Sequence, residues 1–236
     1  MFYPMMYFDP TYILVLVGVV ISLIASARVN TTFSKYSRVR NLRGITGAEA
    51  AERVLHGAEI YDVRIEHVSG NLTDHYDPRS KVLRLSDSVY GQATVAAVGV
   101  AAHECGHAIQ HARGYAPLKL RSTLVPIASF GSKIAWPLIL IGLLFTGESS
   151  FWLLNAGIIA FSLAVLFQLV TLPVEFNASN CAIRTIADTG LMQGDEIKSA
   201  KKVLSAAALT YVASAATAIL QLLRILILTG GRRRND

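Results

Sequence analysis

Four stretches of the chain are dominated by apolar residues, and polar segments separate them. Thr11 to Ala27 is almost wholly apolar, with one Gly and two Ser. That is about the minimum length for crossing a hydrocarbon core of roughly 30 Å. Residues 123–146 form a second stretch, broken by Pro126, Lys133 and Pro137, whose clean core runs from Ile134 to Thr146. Phe151 to Leu172 is a longer uninterrupted run, and Ser205 to Leu228 is the last, carrying Gln221 and Arg224. The pattern predicts about four apolar helices. The second and third pair as a hairpin across the tight link Gly147 to Ser150.

The interval 44–122 reads differently. Thr46 and Glu49 form a T-x-x-E capping box ahead of Ala50 to Leu55, which predicts a short helix. Ile60, Val63, Ile65 and Val68 alternate with one skipped beat, as in a strand of imperfect register. Ser69-Gly70-Asn71 and Asp77-Pro78 are turn signals, and Lys81 to Leu85 alternates as a second strand. Ala93 to Ala112 is an alanine-rich helix that Gly114 stops. The fold class is therefore a mainly α membrane protein with an α+β region holding a small β-sheet.

Composition sharpens this picture. Hydrophobic residues make up 53% of the 236 and charged residues 16%, a balance suited to lipid rather than to a purely soluble domain. The net charge is +6, and the basic residues flank apolar runs, so an anionic lipid surface fits them and nucleic acid does not. Five basic residues and no acidic one lie between Arg28 and Arg43. By the positive-inside rule that side is cytoplasmic and the N-terminus faces out. Residues 1–10 lack Lys and Arg, so no basic leader region is expected. The resulting organisation is an anchor over 1–27, a cytoplasmic region over 28–122 and a transmembrane hairpin over 123–173. A cytoplasmic segment over 174–204 and a C-terminal apolar helix with a basic tail over 205–236 follow. If all four runs span, the tail Arg232 to Arg234 falls outside, against that rule, so the last helix is a candidate to lie partly against the catalytic region. Cys105 and Cys181 are expected as free thiols.

The chemistry centres on His103-Glu104-Cys105-Gly106-His107, an H-E-x-x-H motif. On a helix, i and i+4 share a face, so both imidazoles reach one metal, and zinc suits neutral imidazole with a carboxylate. Glu104 is placed as general base for a metal-activated water. The apolar half-helix Ala96 to Ala102 precedes the motif, so these polar groups continue a buried face and need partners. A catalytic zinc needs a third protein ligand. His111 lies roughly 12 Å along the helix from His103, too far to share the metal. Gln110 and Arg113 exclude the metzincin pattern. Glu175, following a spanning run, is the leading candidate for third ligand, and Asp188 the next.

Asp74-His-Tyr-Asp-Pro78, Val82-Leu-Arg-Leu-Ser86, the stretch from Val100 to Gln110 and the stretch from Leu172 to Ser179 resemble the YugP-like neutral zinc metallopeptidases, bacterial membrane proteases similar in plan to HtpX-type and CAAX-type enzymes. The resemblance covers most of the chain. It implies a zincin-like (gluzincin-like) site with zinc on His103, His107 and Glu175, catalytic Glu104, and a protein or peptide substrate at a multi-pass cell membrane. HtpX-like enzymes carry an aspartate four residues after the third ligand; here that position is Ser179, so Ser179, Asn180 or another residue orients a histidine. Arg184, His75 and Tyr76 are candidate oxyanion donors, and the strand Val82 to Leu85 is a candidate to pair with an extended substrate. Two rival readings stand beside the endopeptidase. One is an intramembrane site-2-type protease, which requires the motif inside a spanning helix. The other is a zinc-holding adaptor or sensor without turnover, for which Glu104 has no use.

Overall fold

A computed structural model describes residues 9–145 and 147–232. The element order is α1 (Tyr12–Tyr36), α2 (Gly47–Gly57), β1 (Arg64–Val68), β2 (His75–Asp77), β3 (Val82–Ser86), α3 (Val95–Ala112), α4 (Ala116–Leu144), α5 (Glu148–Asp188) and α6 (Asp195–Arg232). The chain is mostly helical, with four helices long and apolar enough to cross a membrane (α1, α4, α5 and α6) and one three-stranded sheet among the described residues. It divides into two units: residues 25–123 with 170–212, and residues 1–24 with 124–169 and 213–236.

In the first unit the local signals act as the sequence predicts. Thr46 Oγ1 accepts from the Glu49 N–H at 3.3 Å, and Glu49 Oε2 accepts from the Thr46 N–H at 2.8 Å, closing the capping box of α2. Thr94 caps α3 by accepting from the Ala97 N–H. Gly114, at φ +65°, ends the turn after α3 in a conformation that L side chains resist. The sheet order is β1-β3-β2, with β1 parallel and β2 antiparallel to β3. β3 is thus the central strand, paired on both edges, and it cannot take an added substrate strand as the sequence suggested. β2, unpredicted, is an outer strand. The core joins Val54 and Leu55 of α2, Leu83 and Leu85 of β3, Val98 and Ala101 of α3, and Ala182 and Ile186 of α5. A Cβ added at Gly106 of α3 would stand 2.6 Å from the Ala178 carbonyl oxygen of α5. Only glycine allows this approach, which brings the second half of α5 against the H-E-x-x-H helix.

The other unit packs by small residues. A Cβ at Gly131 would lie 2.9 Å from the Ala160 carbonyl oxygen, and one at Gly157 would lie 2.6 Å from Ile139 Cγ1. Close approach at small residues, as at Gly131, is the usual basis of helix association in lipid, where apolar side chains gain nothing from leaving the solvent. Ser150 Oγ donates to the Gly142 carbonyl at 2.6 Å, bracing α4 against α5. Leu144 is 83% and Trp152 70% exposed, as lipid-facing residues are. Arg224 is not stranded: its guanidinium lies 3.4 Å from Asp9, 3.2 Å from Thr11 Oγ1 and 4.2 Å from the centre of the Tyr12 ring.

Pro126 and Pro137 lie inside α4, and α5 continues through Pro173 to Asp188, so the polar residues after Leu172 are helical. In a packed helix the one N–H that each proline removes is a local loss that neighbours make good. α1 continues beyond its apolar run, past Arg28 to Tyr36. The expectations about residues 1–8, Thr146 and the tail beyond Arg232 lie outside the described residues.

Candidate metal centre

His103 and His107 stand one turn apart on α3, their rings 4.9 Å apart and at 84° to each other. Glu175 comes from α5, across the Gly106–Ala178 contact, and is 2% exposed. Its Oε2 lies 3.2 Å from His103 Nε2 and 3.6 Å from His107 Nε2. The three ligand atoms fall within 4.8 Å of one another. Ligands about 2.0–2.1 Å from a tetrahedral zinc are separated by roughly 3.4 Å, so the spacing of these atoms fits that ion.

The far side of each imidazole is also held. His107 Nδ1 lies 3.1 Å from Gln110 Oε1, while the Gln110 amide nitrogen donates to the Val174 carbonyl at 2.8 Å and to Asn177 Oδ1 at 2.9 Å. Those two acceptors fix which end of the amide faces the ring. Nδ1 therefore carries the proton and donates to Gln110, leaving the Nε2 lone pair aimed at Glu175. His103 Nδ1 is 3.1 Å from Ser179 Oγ, which accepts in the same way. Ser179, four residues beyond Glu175, is one of the residues that the sequence offered for orienting a histidine.

Glu175 is braced on its other oxygen. Arg121 Nη1, from the start of α4, donates to Oε1 at 2.7 Å. The Tyr211 side chain of α6 also lies beside this carboxylate. Sequence reasoning missed both. Arg121 precedes an apolar run and Tyr211 lies within one, and neither position carries a pattern of its own. Gln110 had been read only as a departure from the metzincin spacing.

Glu104 is half-buried beside the two histidines, and its Oε2 accepts from the Tyr76 N–H of β2 at 3.1 Å. Burial pushes its carboxyl above the ordinary range, against the pull of His107 and His103. Burial also raises the Cys105 thiol well above its usual range, and Cys105 packs into the core as a free thiol. Of the other candidates, His111 lies outside the cluster and its Nδ1 meets the Tyr76 hydroxyl at 2.9 Å. Burial, then Asp62 and Asp77, push that phenol up to about 12. Asp188 is exposed at the end of α5, and His75 Nδ1 is bound to the Thr73 carbonyl. Arg184 lines a groove between α5 and α6.

The model of a family described as "Putative neutral zinc metallopeptidase" matches residues 11–230. The chain belongs to that family. A relative in Bacillus subtilis (strain 168), "Putative membrane protease YugP", is 47% identical over 216 residues, covering 91% of this chain and 95% of the relative. No solved structure matches. Membership in this zinc metallopeptidase family makes zinc the cofactor, and the His103, His107 and Glu175 cluster is a group able to hold it. The same kinship and the four apolar helices make the protein membrane-associated, with protein or peptide as its class of substrate.

Proposed function

We propose that this chain is a membrane endopeptidase in which His103, His107 and Glu175 hold the zinc and Glu104 is the general base. The observation that carries the reading is the convergence of two Nε2 atoms and one buried carboxylate oxygen, each fixed from behind. Bound there, zinc supplies a Lewis acid that lowers the pKa of water toward about 7 and polarises a peptide carbonyl. Glu104 takes the proton of the attacking water on its carboxylate and delivers it to the leaving amine nitrogen. The raised affinity of its buried carboxyl for a proton suits both halves of that transfer. The Tyr76 N–H holds Oε2 of Glu104 and keeps the carboxylate turned toward the site. Arg121 occupies Oε1 of Glu175, so that Oε2 alone faces the histidines. Tyr211, close to the carboxylates of Glu175 and Glu104, is the donor we assign to the developing oxyanion, in preference to Arg184 and His75.

The region 28–122 and the segment 174–204 together form the gluzincin-like catalytic part, on the cytoplasmic side. The five basic residues from Arg28 to Arg43 support that orientation. Substrates are membrane or membrane-proximal proteins. A site-2-type arrangement has less support, because α3 is not among the helices long and apolar enough to span.

Zinc content and casein hydrolysis, measured on the purified wild type, Glu175→Ala and Glu104→Gln, test this reading. Near-stoichiometric zinc is expected in the wild type and Glu104→Gln, strong loss in Glu175→Ala, and proteolysis in the wild type alone. Full zinc in Glu175→Ala would remove that ligand. A wild type that holds zinc but never cleaves would leave an adaptor or sensor.

A further inference from the structure

Positive charge is distributed unevenly within the unit formed by residues 25–123 and 170–212. Around the sheet three cations are matched. Arg84 lies 3.4 Å from Glu66 and 3.9 Å from Asp77, Arg64 lies 3.8 Å from Glu66, and Lys81 pairs with Asp62. A cleft of 820 Å³ between α1 and α6 has the opposite character. Five cations line it (Arg28, Lys35, Lys198, Lys201 and Lys202), and no acidic residue does. Lys198 is paired with Asp195 at 2.8 Å; among the described residues the other four form no salt bridge.

The cations are ordered along the helices. On α1, Arg28, Thr31 or Thr32, and Lys35 follow at i, i+3/i+4 and i+7, one stripe about 10 Å long. On α6, Lys198, Lys201 or Lys202, and Ser205 repeat the spacing, and Leu209 continues the stripe. Arg28 ends the apolar run of α1, and Ser205 begins that of α6. The lining therefore passes from ammonium groups to Ala206 and Leu209 where both helices turn apolar. Such a change of character occurs at the boundary between headgroups and hydrocarbon.

We propose that this cleft is a binding site for an anionic phospholipid. Its phosphate lies among Arg28, Lys35, Lys201 and Lys202, and its acyl chains lie along Ala206 and Leu209. Thr32 and Ser205 add hydroxyl donors. An acidic peptide satisfies the cations but leaves the apolar end of the lining bare, whereas a phosphodiester joined to hydrocarbon matches both ends. The site is separate from the zinc cluster, with which it shares no residue.

The test uses the full chain in phosphatidylcholine nanodiscs with increasing fractions of phosphatidylglycerol. Retained lipid is counted by native mass spectrometry, and thermal stability is followed in parallel. Wild type is expected to retain phosphatidylglycerol over phosphatidylcholine and to melt higher as its fraction rises. Lys201→Gln with Lys202→Gln is expected to weaken retention by roughly 5-fold per charge removed. Lys201→Arg with Lys202→Arg should restore it, and Arg64→Gln, on the sheet side, should leave it unchanged. If the double variant loses zinc or does not fold, Lys35→Gln on the other helix provides the same readout. No preference in the wild type overturns the proposal. So does undiminished preference in the folded variants, or full displacement of the lipid by inorganic phosphate or poly-glutamate.

Discussion

The two units solve the packing problem for two different solvents. Around the zinc cluster, side chains of α2, α3, β3 and α5 bury an apolar core, and each polar group that enters it meets a partner: Gln110 holds His107, Ser179 holds His103 and Arg121 holds Glu175. In the unit of residues 124–169 and its companions, large apolar residues point outward and glycines face inward. Water drives the first arrangement by expelling apolar surface, whereas in lipid that force is absent and close van der Waals contact takes its place. The polar network around the candidate metal ligands should therefore be far less tolerant of change than the glycine seams.

The sharpest break in that network is chemical. Glu104→Gln keeps the size of the side chain and its acceptor for the Tyr76 N–H, but removes the base. Cleavage should fall about 10²–10⁴-fold, with zinc content and melting temperature near wild type. An equal loss of zinc would show that Glu104 holds the site together instead of acting on substrate. Next in size is Ser179→Ala, which frees His103 Nδ1. Zinc affinity should fall about 10–100-fold, as for other groups that orient a metal-binding histidine. Competition with a chelator measures it, and unchanged affinity would assign the orientation of His103 to packing alone.

How much of this was legible beforehand follows from the kind of signal each residue carries. His103 and His107 announce themselves by the i, i+4 spacing, and Glu175 by being a carboxylate just beyond an apolar run. The structure brings all three together. Capping by Thr46 and the stop at Gly114 are local effects, and they appear where the sequence placed them. β2 was missed because His75-Tyr76-Asp77 has no apolar alternation; its place is set by pairing with β3. β3 looked like an alternating edge strand, yet it is buried at Val82, Leu83, Leu85 and Ser86 because both of its edges are paired. Arg121 and Tyr211 depend on where α4 and α6 cross the site, and no single-chain pattern encodes a crossing.

The smallest expected effect separates the two units directly. Gly106→Ala and Gly157→Ala each gain about 1 kcal/mol of helix propensity, so their difference reports crowding alone. At Gly106 the new methyl would meet the carbonyl oxygen, carbon and Cα of Ala178, all backbone, at 2.6–3.1 Å. Backbone cannot step aside without moving α5, and Glu175 moves with it. A net loss of about 1–3 kcal/mol is expected, together with weaker zinc binding. At Gly157 the closest atom is Ile139 Cγ1 at 2.6 Å, next to the branched Cβ of a buried helical residue with little freedom at χ1, and the backbone atoms lie at 3.1 and 3.2 Å. Overpacking should cost stability there too, but neither α4 nor the first half of α5 carries one of the three candidate ligands, so zinc content should stay full. If Gly157→Ala instead weakens zinc binding as much as Gly106→Ala, the contrast between the two units fails.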